Sequence, residues 1–172
     1  MGLVSPNLLT LKKILIMEWK RLNGEPIMDI YEEVESAILQ SISNNNPLRI
    51  CIGSDSQVKG EMMDMATAIV FIREGKGGFM FVNKSRSKNT MGMKERLLKE
   101  VADSIEIAYK ICPLLERYEI PMEVHADIST DPSFKSNVAL KEAMGYIMGM
   151  GYTFKAKPNA FAGTSCANKI VQ

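Results

Sequence analysis

The spacing of apolar residues along this chain switches between two periods, and each switch marks an element. Over residues 7–22, Leu8, Leu11, Ile14, Leu15 and Trp19 recur every three or four positions. This predicts a helix capped by Asn7 and ended by Gly24 and Pro26. A second helix is predicted over 29–42, with Ile30, Val34, Ala37 and Ile38 on one face and Glu32, Glu33 and Glu35 early, where the helix dipole favours acids. The polar loop Ser43-Asn44-Asn45-Asn46-Pro47 follows, and the period falls to two.

Residues 49–57 read as a strand; residues 64–73 are apolar on both faces and read as an interior strand. Glu74-Gly75-Lys76-Gly77-Gly78 is a hairpin turn, and 79–85 is a third strand. The longest helix is predicted over 90–111, on the stripe Leu97, Val101, Ile105, Ala108, Ile111, with Pro113 after it. A fourth strand, 122–128, sets Met122, Val124, Ala126 and Ile128 against Glu123, His125 and Asp127. Asp131-Pro132-Ser133 opens a helix reaching about 148, and Gly149-Met150-Gly151 stops it. A fifth strand covers 152–156, ended by Lys157-Pro158, and 160–171 is weakly helical.

The predicted order is two helices, then β-β-β-α-β-α-β-α. That is an α/β fold with a mixed five-stranded sheet flanked by helices. The organisation expected is a helical N-terminal extension over 1–47 and one domain over 48–172. Helical crossovers are right-handed, which favours the first and fourth strands as parallel neighbours. Asp55 and Asp127 then both lie toward carboxyl ends of adjacent strands, where open α/β sheets build their sites. Asp55 shares a strand face with Cys51, Gly53 and Gln57. A carboxylate on a buried strand is costly unless it is paired, hydrogen-bonded or bound to a metal.

Net charge is +1, yet the charge is segregated. Residues 73–99 carry eight basic and two acidic side chains, a distribution that suits a polyanionic partner. Lys84, Arg86 and Lys88 alternate along one strand face, and Lys94 follows on the helix. Three cysteines without CxxC spacing argue against a disulfide framework and suit a reducing cytoplasm. No apolar run reaches membrane-spanning length, so no membrane partner is expected. A homo-oligomer is compatible with the sequence.

The acid-bearing first strand, the acid-bearing helix and the strand ending in Asp resemble the ribonuclease H-like fold. Four stretches are similar to the uncharacterised bacterial YkuK-like family within it. They are Ile52-Gly53-Ser54-Asp55-Ser56-Gln57, Glu95-Arg96-Leu97-Leu98-Lys99-Glu100-Val101, His125-Ala126-Asp127-Ile128, and Ala160-Phe161-Ala162-Gly163-Thr164-Ser165-Cys166-Ala167-Asn168-Lys169. The resemblance covers roughly residues 20–172. It implies phosphodiester hydrolysis with two Mg²⁺ or Mn²⁺ ions held by carboxylate oxygens. Asp55 would bridge the ions and Asp127 would bind one. Glu100, which flanks the buried helix stripe, is the preferred helix ligand, with Glu95, in the first turns, as the alternative. The fold's fourth carboxylate falls at Asn168, a neutral amide. His125 is a candidate for proton transfer, Gln57 for orienting substrate or water, and Lys169 joins Lys84, Arg86, Lys88 and Lys94 as a backbone contact.

Three function classes follow. The first is a metal-dependent nuclease acting on RNA, DNA or a hybrid. The second is a non-catalytic nucleic-acid-binding protein of the same fold, which Asn168 favours. The third is a metal-dependent phosphatase acting on a small phosphoester.

Overall fold

A computed structural model describes residues 18–172. Its sheet has seven strands rather than five, in the order β2-β1-β5-β4-β3-β6-β7. The strands are β1 (Trp19–Arg21), β2 (Pro26–Ile27), β3 (Leu48–Lys59), β4 (Met62–Arg73), β5 (Gly77–Lys88), β6 (Met122–Ser129) and β7 (Thr153–Lys157). The helices are α1 (Ile30–Ser43), α2 (Met93–Arg117), α3 (Leu140–Gly149) and α4 (Asn168–Val171); a π-helical turn, Ala162–Ala167, leads into α4.

The two additional strands come from the segment expected to end a helix. Trp19, Lys20 and Arg21 pair antiparallel with Asn83, Val82 and Phe81, extending the sheet beyond β5. The expected helix over 7–22 therefore gives way to a strand at Trp19; residues 7–17 lie outside the described residues. Trp19 and Ile27 are buried, so burial against an open sheet edge overrides helical spacing in this short stretch. Asp29 caps α1, its carboxylate accepting from the Tyr31 and Glu32 amides.

β3, β4 and β5 form the expected meander. β3 and β6 run parallel as neighbours, from Ile50↔Met122 to Gly53↔His125. One sheet face packs Ile50, Ile52, Phe71, Val124 and Ile128 against α1 and α2. The other packs the smaller Cys51, Ala66, Ala68 and Val82 against Ala162, Ala167 and Val171. Small residues bring this C-terminal segment close to the sheet. Gly53 marks the tightest point: a Cβ there would lie 2.4 Å from the Gly163 nitrogen.

Two helix boundaries differ from expectation. α2 continues through Pro113 to Arg117, because Leu114 and Leu115 are buried and packing outweighs the missing N–H. Asp131-Pro132-Ser133 forms a turn in which the Ser133 amide donates to Asp131 Oδ1. A 3₁₀ segment, Lys135–Ala139, then precedes α3.

Candidate metal centre

The pairing of β3 with β6 ends at Gly53↔His125. Two residues beyond that last pair come Asp55 on β3 and Asp127 on β6, near enough that the Asp127 charge raises the Asp55 carboxyl. β6 and β7 also part here: their register slips between His125↔Lys155 and Ser129↔Lys157. Asp127 lies inside that irregular stretch. Such an irregularity re-aims side chains, here near the carboxyl ends of the strands, where open α/β sheets build their sites.

Asp55 is 8 % exposed and Glu100 4 %. Burial, reinforced by the nearby Asp127 charge, pushes the Asp55 carboxyl up to about 6. Burial pushes Glu100 up to about 8; the charges of Asp55 and Asp127 add to this, and a hydrogen bond from Ser56 opposes it. Ser56 Oγ donates to Glu100 Oε1 at 2.6 Å, and Arg96 Nη1 donates to Ser56 Oγ at 2.9 Å. Arg96 thus reaches Glu100 through a hydroxyl. Lys157 Nζ, at the end of β7, stands 2.7 Å from Asp127 Oδ1. That buried oxygen has no aligned hydrogen-bond donor, so the contact is one of charge. Gln57 Oε1 is likewise buried without a partner.

Other candidate residues are engaged elsewhere. Glu95 caps α2, its Oε2 accepting from the Gly92 amide at 2.7 Å. Lys94 forms an ion pair with Glu142 of α3. The Asn168 amide donates to the Thr164 carbonyl, and its oxygen accepts from Gln172. Lys169 is exposed on α4. Lys84 and Arg86 lie 3.7 and 3.4 Å from Asp64, which is buried beside Gln57 in the β3–β4 register and also meets Lys59 at 3.6 Å. Lys88 is exposed two positions beyond Arg86.

His125 belongs to a separate cluster. Cys51, Glu123 and His125 bring ligand-type atoms within 4.8 Å of one another, a spacing that could hold a metal ion. Among the described residues, the three carboxylates above do not form so tight a set. The hydrogen bonds of this cluster describe a closed network. His125 Nδ1 accepts from the Ala162 amide at 3.2 Å, and Nε2 lies 3.0 Å from Glu123 Oε2. The ring proton therefore sits on Nε2; an ion there would force it onto Nδ1, against the Ala162 N–H. Burial holds the imidazole below its ordinary range, hence neutral. Arg49 donates to both Glu123 oxygens, and burial pushes the Cys51 thiol up to about 12, keeping it protonated. This network ties the C-terminal segment to the sheet.

Sequence reasoning missed Arg96, Ser56, Asp64 and Lys157. Asp64 carried a signal, as a charge in an otherwise apolar strand. Lys157 carried none, because its place depends on the irregular β6–β7 register.

The chain belongs to the ribonuclease H-like family: the family described as "Ribonuclease H-like" matches residues 29–172. This fold is commonly associated with nucleic acid and often binds divalent metals. The chain is also similar to "Uncharacterized protein YkuK" of Bacillus subtilis (strain 168). It is 29 % identical over 137 residues, covering 72 % of this chain and 78 % of that protein. Among the described residues, no helix is long and apolar enough to cross a membrane.

Proposed function

We propose that this protein is a divalent-metal-dependent nuclease. The observation that supports the reading is that Asp55 and Asp127 come from adjacent parallel strands, the Asp127 charge raises Asp55, and the charges of both raise the buried Glu100. Three buried or half-buried carboxylates, two of them raised by burial and mutual repulsion, suit a hard cation, which would relieve the repulsion. Asp55, Glu100 and Asp127 would hold Mg²⁺ or Mn²⁺, with Asp55 shared between two ions as the resemblance implies. When bound, the metal supplies an activated water and neutralises charge on the phosphoryl group. Gln57 presents an unpartnered buried oxygen on the Asp55 face, suited to accept from water or a sugar hydroxyl. His125 has both ring nitrogens engaged, which leaves it a positioning role. The three free cysteines accord with a reducing cytoplasm.

The basic band supports nucleic acid as substrate. Lys84, Arg86 and Lys88 share the sheet face of Asp55, since Asp55 pairs with Ala66 and Ala66 with Lys84. Phosphate contacts release condensed counterions, so log affinity falls linearly with log salt, by about 0.7 per contact on a single strand. Replacing Lys84, Arg86 and Lys88 together with Gln should weaken oligonucleotide binding and flatten that slope by about two units. Fluorescence anisotropy at several salt concentrations measures it. An unchanged slope would remove the band from the interface. Absence of wild-type binding at low salt would favour the small-phosphoester reading. The non-catalytic reading draws on Asn168, which brings no charge to the site.

A further inference from the structure

Two cations already stand at the carboxylates. Lys157 Nζ is in ionic contact with Asp127 and, like Arg96, lowers the Asp55 carboxyl from where burial would put it. Arg96 also reaches Glu100 through Ser56. Three carboxylates set against two side-chain cations leave at most one net negative charge. One divalent ion leaves such a site with about one net positive charge. Two would leave it with about three net positive charges.

We propose that Lys157 stands in the place of one of the two cations a ribonuclease H-like site would take, so that the resting protein loads a single divalent ion. The position fits. Lys157 is the last residue of β7, and the break in β6–β7 pairing brings it alongside Asp127. Its side chain is 42 % exposed, and its ammonium reaches the less exposed Asp127 carboxylate. Arg96 differs, being fixed by Ser56 rather than by a site aspartate. Lys157 supplies a side-chain cation beside Asp127 without needing ligands of its own. It also competes with any ion seeking the Asp127 oxygen that it faces. This inference rests on the metal-site reading above.

The test is calorimetric titration of the full chain with MnCl₂, paired with electron paramagnetic resonance of the loaded protein. Wild type should take one Mn²⁺ per chain and give the six-line spectrum of an isolated ion. Lys157→Met, which keeps the stem and removes the charge, should take a second ion, bind the first about tenfold more tightly and show the broadening of a coupled pair. Lys157→Gln serves as a second neutral variant should the first fold poorly, and Lys157→Arg should keep the wild-type stoichiometry. Two ions of similar affinity in wild type would overturn the proposal, as would one ion in both neutral variants. No Mn²⁺ uptake by wild type would fail the metal-site reading itself and this inference with it.

Discussion

Asp55→Asn should lower metal-dependent cleavage by roughly three orders of magnitude, because the ion's transition-state charge stabilisation of several kcal/mol goes with the carboxylate. The metal-free variant should melt no lower than wild type, and higher near neutral pH. The sign follows from protonation. The folded-state value of Asp55 is raised to about 6 from 3.8, so the native protein holds a proton that the unfolded chain has released between these values. Its favourable contribution is therefore complete below pH 4 and is lost as pH rises through 6. Asn removes the charge that burial and Asp127 oppose. At pH 7 it should stabilise the metal-free protein by up to about 3 kcal/mol, and the difference should vanish below pH 4. Thermal melts across pH, alongside Mn²⁺-dependent cleavage assays, separate this from simple unfolding. A variant that cuts as well as wild type would place the activity elsewhere.

Gly53→Ala should carry the largest stability cost. The added Cβ would meet the Gly163 nitrogen at 2.4 Å, the Ala162 carbonyl carbon at 2.6 Å and Ala162 Cβ at 3.0 Å. Two of these are backbone atoms, which cannot rotate away. The C-terminal segment would have to lift off the sheet, uncovering Cys51, Ala66 and Ala68 and pulling the Ala162 amide from His125. A cost of about 3 kcal/mol or more is expected from urea unfolding. Gly145→Ala makes the comparison: Gly145 is exposed within α3 and its added Cβ meets nothing within 4 Å. That change should stabilise by about 0.5–1 kcal/mol. Equal effects at the two positions would contradict the close approach at Gly53.

What the sequence revealed depended on how local each signal was. The meander was legible because β3, β4 and β5 are long, with period-two alternation or apolar residues on both faces, and are joined by short turns. The parallel placement of β3 beside β6, expected from crossover handedness, is the one the fold adopts. β1 and β2 were hidden because they are three and two residues long, too short to show a period; the edge of β5 recruits β1, and β1 recruits β2. Helical spacing favoured Glu100 over Glu95 only through its place beside the buried stripe. Capping geometry at Gly92 and the reach of Ser56 tell them apart, and neither is written in helical spacing. The basic run was legible as charge, but not the buried Asp64 that gathers Lys59, Lys84 and Arg86 around it.

Crystals soaked in Mn²⁺ and measured at the manganese absorption edge test the central claim most directly. The account predicts an anomalous peak touching the Asp55 and Asp127 carboxylates, with Glu100 turned toward it and the Cys51–Glu123–His125 cluster empty. A peak at that cluster instead, or none beside Asp55, would contradict it.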